Sequence, residues 1–214
     1  MPSPPSQTNP PLNPPLILAS GSRYRQELLG RLGLPFQAIA PDIDETALSA
    51  ETPLATSLRL ARAKAAVIAR QHPECLIIGS DQVATCNGMP IGKPGNHACA
   101  LAQLQAMRGQ CVLFHTALCL WDSRSSQAGS AQQVQLTEVL SSVRFRDLPD
   151  AELDAYLRAE QPYDCAGSAK NEGLGIILLE KIESLDPTAL TGLPLIALSG
   201  MLRNAGVTFF PTKG

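Results

Sequence analysis

Eight polar side chains draw attention by where they fall. Ser20, Arg25, Glu45, Lys64, Asp81, Lys93, Lys170 and Glu172 lie on loops at the ends of apolar runs or on an otherwise apolar helix face. Acids accompanied by several cations, with no His or Ser triad among them, suit a phosphate-rich substrate held through a hard divalent cation. Carboxylate oxygens match Mg²⁺ or Mn²⁺, and Lys or Arg neutralises the phosphate charge that remains. The sequence contains neither a Walker lysine motif nor a G-x-G-x-x-G fingerprint, which turns the reading away from P-loop and Rossmann chemistry.

These residues need elements to hold them. Leu16 to Ala19 reads as a buried strand, followed by the turn Ser20-Gly21-Ser22 and a helix from about Arg23 to Leu32, stopped by Gly33 and Pro35. A strand feeding a helix through such a turn aims backbone N–H groups outward, which suits an anion. A short strand, Phe36 to Ala40, precedes the acidic loop "PDIDET". Thr52 then caps and Pro53 opens a helix to about Arg70, with Leu54, Leu58, Ala61, Ala65 and Ile68 as its buried stripe. Lys64 falls beside that stripe, so it either snorkels to an edge or is paired in a cleft.

The stretch "CLIIGSDQV" runs from Leu76-Ile77-Ile78 through Gly79-Ser80 to Asp81. An acid ending a core strand either caps a turn or sits where the strand opens into a cleft. A turn at Asn87-Gly88 and the loop "IGKPG" with Lys93 follow, and Asn96 caps a helix to about Arg108. Cys111 to Trp121 reads as a buried strand, "DSRSSQAGSAQQ" as a long hairpin loop, and Val134 to Phe145 as the antiparallel partner. A helix near Pro149 to Glu160, a glycine-rich loop "CAGSAKNEGLG", a strand from Ile176 to Leu179 and a helix opened by Pro194 complete the chain. Mixed parallel and hairpin connections predict an α/β fold around one elongated mixed β-sheet.

Composition bounds the partners. The 214 residues, 44% of them hydrophobic, suffice for one substantial domain, here residues 16–210. Residues 1–15 carry seven of the prolines and read as a disordered tail rather than a signal peptide. A formal net charge of -2 gives no electrostatic case for nucleic acid or an anionic membrane, and no segment is apolar enough to span a bilayer. Six cysteines without a C-x-x-C pair read as reduced, buried thiols, and the three histidines have no metal-ligand spacing, so zinc is not expected. A cytoplasmic protein is the expectation.

The segments "LILASGSRYRQELL", "DIDET", "RLARAKA", "IIGSDQV", "GKP", "CAGSAKNEGLG" and "GLPL" occur in the order seen in the Maf-type nucleoside triphosphate pyrophosphatases, and the chain resembles that family over about residues 16–205. The resemblance implies a Maf/ITPase-like sheet flanked by helices around a central cleft, a homodimer, and hydrolysis of a nucleoside triphosphate between its α and β phosphates. It implies that Asp81 is the catalytic general base, so that its strand would end at the active-site cleft. Lys64 and Lys93 match cleft positions facing phosphate, and Glu45 joins Asp81 as a metal carboxylate. Ser20, Ser22 and Arg25 match the phosphate-binding turn. The family commonly has two basic residues after a proline in that turn, whereas position 26 here is the neutral Gln26, with Arg23 nearby as its possible replacement.

Three positions separate the family's branches and correspond to Tyr24, Gln82 and Glu172. The combination resembles the 7-methyl-GTP branch, with Tyr in place of the usual Trp, more than the sibling branch acting on dTTP and UTP. N7-methylation makes guanine cationic, so the Tyr24 face can attract it, and Glu172 can accept from guanine N1–H and N2–H. A non-catalytic, nucleotide-binding regulator of septum formation is the reading of a different class. The retention of Glu45, Lys64, Asp81 and Lys93 together argues against it, since a binding module has no use for a base beside a metal site.

Overall fold

The computed structural model describes residues 13–127, 129 and 133–210. Leu16–Leu18 forms β1, entirely buried, and Ser22 caps the helix α1, Arg23–Gly30, by accepting from the Arg25 N–H. After β2, Gln37–Ala38, the Thr52 side chain accepts from the Ala55 N–H and Pro53 supplies the preset first turn of α2, Pro53–Ala69. The strand β3, Leu76–Cys86, turns at Asn87-Gly88, where φ values of 51° and 77° give the hairpin turn into β4, Met89–Ile91. Asn96 caps α3, His97–Met107, and the long strands β5, Cys111–Asp122, and β6, Val134–Phe145, pair antiparallel. Then come α4, Asp150–Glu160, β7, Leu179–Ser184, and α5, Leu195–Asn204.

Among the described residues these strands form one mixed seven-stranded sheet in the order β2-β1-β3-β5-β6-β7, with β4 added beside β3. β1 runs parallel to both neighbours and the remaining pairs are antiparallel. On one face α2 packs over Ile17, Ile77, Ala117 and Cys119. On the other face lie two clusters. One joins Leu28 and Leu29 of α1 and Leu198 and Leu202 of α5 to Leu18, Ile78 and Leu118, and the second joins α3 and α4 to Val112, Phe114, Val143 and Phe145.

The strand containing Asp81 does not end at the acid. β3 continues five residues beyond it, to Cys86. What ends is its neighbour: β1 pairs with β3 only as far as Leu18 beside Ile78, and β4 begins at Ile91 beside Ala84. Between those points β3 is paired with β5 alone, so the sheet forks and a cleft opens at Asp81. Alternation along β3 directs Asp81 to the α2 face and Gln82 to the opposite face, and both line the same cleft.

The buried stripe of α2 is rotated from the one its sequence predicts. Ser57, Leu60, Ala61, Lys64, Ala65 and Ile68 face the sheet, while Leu54 is 40% exposed and Leu58 only partly buried. The contact follows small residues because α2 lies directly on Gly79, where an added Cβ would be 2.1 Å from the Ala61 carbonyl oxygen and 2.9 Å from the Ala65 nitrogen. Three other expectations shift. Residues 174–178 form a 3₁₀ turn in place of the strand expected at 176–179, which begins at Leu179 instead, because this edge strand carries Glu180, Lys181 and Glu183 and has no apolar run to announce it. The six thiols are all unpaired, but only Cys119 is buried and Cys99 is exposed.

Residues just before 16 are also tied to the rest of the chain. Asn13 exchanges hydrogen bonds with Thr208, and the Pro15 carbonyl accepts from the Leu76 N–H. The rest of the proline-rich segment, residues 1–12, and part of the loop after β5 lie outside the described residues.

Gly79→Ala forces α2 away from β3 and is expected to lower stability by about 1–3 kcal/mol, as overpacking does. Urea denaturation measures it, and an unchanged midpoint would show that the approach is not limiting.

Candidate active site

Lys64 is buried at the centre of the cleft. Its ammonium lies 2.7 Å from Asp81 Oδ1 and 3.0 Å from Glu45 Oε1, with the Lys64 and Asp81 side chains only 7% and 9% exposed. Of the two fates open to this lysine from sequence, it takes the paired one. Burial pushes the Asp81 carboxyl above its ordinary value, opposed chiefly by the charge and hydrogen bond of Lys64 and less by Arg25. Desolvation thus raises the basicity of Asp81 while the ammonium favours its ionised form, a suitable state for a proton acceptor.

Glu45 arrives from a loop rather than from the sheet. Glu51 ties that loop to α2, accepting from Arg59 Nε and Nη2 at 2.7 Å each, from Thr56 Oγ1 at 2.9 Å and from the Leu48 N–H at 3.1 Å. Arg59 also donates to the Thr46 carbonyl, one residue from Glu45. This clamp holds the Glu51 carboxyl down to about 2, with the Arg59 hydrogen bonds as the leading cause.

The turn entering α1 forms a second wall. Ser20 Oγ accepts from the Ser22 N–H and from Arg25 Nη1, and Arg25 Nε donates to the Gly192 carbonyl at 2.8 Å. Burial lowers the Arg25 pKa, against the pull of Asp81 and Glu45. The start of α1 is therefore fixed beside the Arg25 guanidinium, an arrangement able to take phosphate oxygens. Lys93, exposed on the loop after β4, lines the cleft as well.

Gln82 anchors a third wall. Its Nε2 donates to Thr116 Oγ1, Ala189 O and Leu190 O at 2.9 to 3.1 Å, and Ser80 Oγ bonds Gly192 O at 2.9 Å. The 186–194 loop reached by these bonds is held at its other end by buried Asp186, which accepts from Thr188 and from the Ile196 N–H, capping α5 where Pro194 offers no side-chain cap. Sequence reasoning does not single out Ser80, Thr116, Asp186 or Gly192. An Asp ahead of a proline-opened helix was the available sign of the cap, whereas the contacts of Ser80 and Thr116 span 34 to 112 residues and leave no local trace.

At the mouth, Tyr24 and Glu172 line the cleft from opposite segments of chain. The Tyr24 hydroxyl lies 3.4 Å from both carboxylate oxygens of Asp164 and accepts from Arg23 Nη2. Glu172 is exposed, on a loop fastened by Glu160, which takes Lys170 Nζ and the Leu174 N–H at 2.9 Å each. Lys170, which also lines the cleft, thus tethers this loop. All eight residues expected at the site together with Lys64 and Asp81, namely Ser20, Ser22, Tyr24, Arg25, Glu45, Gln82, Lys93 and Glu172, border one cleft of about 660 Å³. That volume is in the range of small-molecule sites.

Glu45 and Asp81 are the carboxylates able to hold a divalent cation. Among the described residues no three His, Cys, Asp or Glu side chains converge on a metal position. Two carboxylates fit a Mg²⁺-like ion that completes its shell with water and substrate phosphates.

A family model described as Maf-like protein matches residues 15–205. A 7-methyl-GTP pyrophosphatase from Cupriavidus metallidurans is 61% identical over 197 residues, covering 92% of this chain and 96% of that protein. Another of that name from Burkholderia pseudomallei is 64% identical over 200 residues, covering 92% and 90%. Among solved structures, the Staphylococcus aureus Ham1 protein aligns with a TM-score of 0.43 at 14% identity over 62% of this chain and 72% of that one.

Glu51→Gln is expected to weaken the clamp beneath Glu45. The carboxyl is depressed in the folded state, so its contribution is present above the ordinary 4.5 and disappears as pH falls through about 2. Denaturation midpoints of the variant should lie below those of the parent at pH 7 and converge with them through that window; a gap independent of pH would contradict the clamp.

Proposed function

This chain belongs to the Maf-like family, and we propose that it hydrolyses 7-methyl-GTP to 7-methyl-GMP and pyrophosphate, clearing modified nucleotides from the cellular pool. The observation that carries this reading is the Lys64 ammonium buried between Asp81 and Glu45 in a cleft lined on one side by the start of α1. Relatives more than 60% identical over almost their whole length bear the name of that activity.

Asp81 takes a proton from a water molecule as the water oxygen bonds to the α-phosphorus. The bridging bond to the β-phosphate breaks, and pyrophosphate leaves with the electron pair. Lys64, Arg25 and Lys93 neutralise the charge spread over the phosphate oxygens, while Ser20 and Ser22 fix the turn that receives them. Glu45 and Asp81 would hold a divalent cation, Mg²⁺ or Mn²⁺, which would supply further neutralisation of phosphate charge.

Selectivity rests on the mouth of the cleft. Tyr24 offers an aromatic face to the cationic methylated base, and Glu172 accepts from guanine N1–H and N2–H, donors that a pyrimidine does not present as a pair. Gln82 spends its amide N–H groups on the 186–194 loop, leaving the amide oxygen as the part available to a base. No helix among the described residues is long and apolar enough to cross a membrane. We place the enzyme in the cytoplasm and expect it to act as a homodimer.

Pyrophosphate release with Mg²⁺ should be fastest from 7-methyl-GTP in a panel with GTP, dTTP, UTP, CTP and ITP, and Asp81→Asn should lose at least ~100-fold. Preference for dTTP or UTP would overturn the roles of Tyr24, Gln82 and Glu172. Absence of turnover on every nucleotide would leave a binding protein.

A further inference from the structure

The aromatic face proposed for the base already holds a cation. The Arg23 guanidinium carbon lies 4.9 Å from the centroid of the Tyr24 ring, and its Nη2 donates to the hydroxyl of the same ring at 2.9 Å. Asp164, within 3.4 Å of that hydroxyl, adds a negative charge on the same side of the cleft mouth. Arg23, Tyr24 and Asp164 all line the cleft, and Arg23 is exposed, so its side chain can leave without any backbone change.

We propose that Arg23 is a specificity-determining residue, an internal cation that occupies the Tyr24 ring and must be displaced when a cationic base stacks there. The proposal rests on the reading of Tyr24 as the base-binding residue. Displacement costs the incoming base one cation–π contact and one hydrogen bond. It also leaves a like charge beside the base, which the Asp164 carboxylate on the same side of the mouth partly offsets. A methylated, cationic purine meets both the competition and the repulsion. An unmethylated, neutral purine meets the competition alone. Arg23 therefore sets how strongly the site separates the two.

The size follows from the worth of an exposed cation–π contact, which corresponds to a factor of about 2 to 5 in affinity. Arg23→Gln should lower KM for 7-methyl-GTP by that factor and KM for GTP by less, without lowering kcat. Calorimetric titration with 7-methylguanosine and guanosine, which carry no phosphate, should show the same gain for the methylated nucleoside. In a Tyr24→Leu background the competition for the ring is gone, and Arg23→Gln should give each nucleoside a smaller gain in affinity than it does with Tyr24 present.

A rise in KM for both nucleotides would identify Arg23 as a phosphate contact and overturn the proposal. So would a nucleoside affinity that Arg23→Gln does not move, or an equal gain in the Tyr24→Leu background. If the unaltered protein binds 7-methylguanosine and turns over 7-methyl-GTP while the variant behaves identically, this proposal alone falls. If the unaltered protein binds neither nucleoside and prefers dTTP, the functional reading beneath it falls too.

Discussion

The contact between α2 and Gly79 governs the site. A helix backbone that comes so close to a strand leaves no room for a Cβ, and the small residues Ser57, Ala61 and Ala65 follow that line of approach. Rotation of the helix onto its small-residue face carries Lys64 inward. A buried ammonium without partners would cost several kcal/mol, so the position is tenable only because Asp81 meets it from the strand and Glu45 from the loop. Packing and chemistry are thereby linked: the same approach that completes the core on this face assembles the charged centre.

The second constraint is the fork in the sheet. With β1 gone after Leu18 and β4 not yet begun, the backbone from Gly79 to Val83 faces a gap on one side while β5 holds it on the other. Consecutive residues there serve different walls. Asp81 meets α2, whereas Ser80 and Gln82 meet carbonyls of the 186–194 loop, and Arg25 reaches the same Gly192 carbonyl from α1. The turn entering α1 and that loop are consequently positioned by one short stretch of strand, and Asp186 keeps the loop from drifting by tying it to the start of α5.

Much of this was legible in the sequence where the signal is local. Thr52-Pro53, Asn96 and Asn87-Gly88 mark their caps and turn through short-range backbone chemistry, and the long β5 and β6 strands appear at nearly their full length. The polar residues of the cleft were also visible, because acids and a lysine amid apolar runs demand a reason. The orientation of α2 was not, since apolar periodicity weighs side-chain size and overlooks a glycine on a distant strand. β7 was displaced for a related reason: an edge strand with alternating charges lacks the apolar pattern of a core strand. The stacking of Arg23 on Tyr24 and the tether of Lys170 to Glu160 depend on where side chains meet in space, which spacing along the chain does not encode.

Lys64 and Asp81 act as one unit, and a double-mutant cycle on hydrolysis of 7-methyl-GTP tests this coupling most directly. Lys64→Met, Asp81→Asn and the double variant would be compared by kcat/KM with the parent, with circular dichroism confirming the fold of each. If the two groups form a unit, the double variant is no slower than Asp81→Asn alone. Losses that multiply would mean that the lysine and the carboxylate contribute independently, and would contradict the coupling on which the reading of the cleft depends.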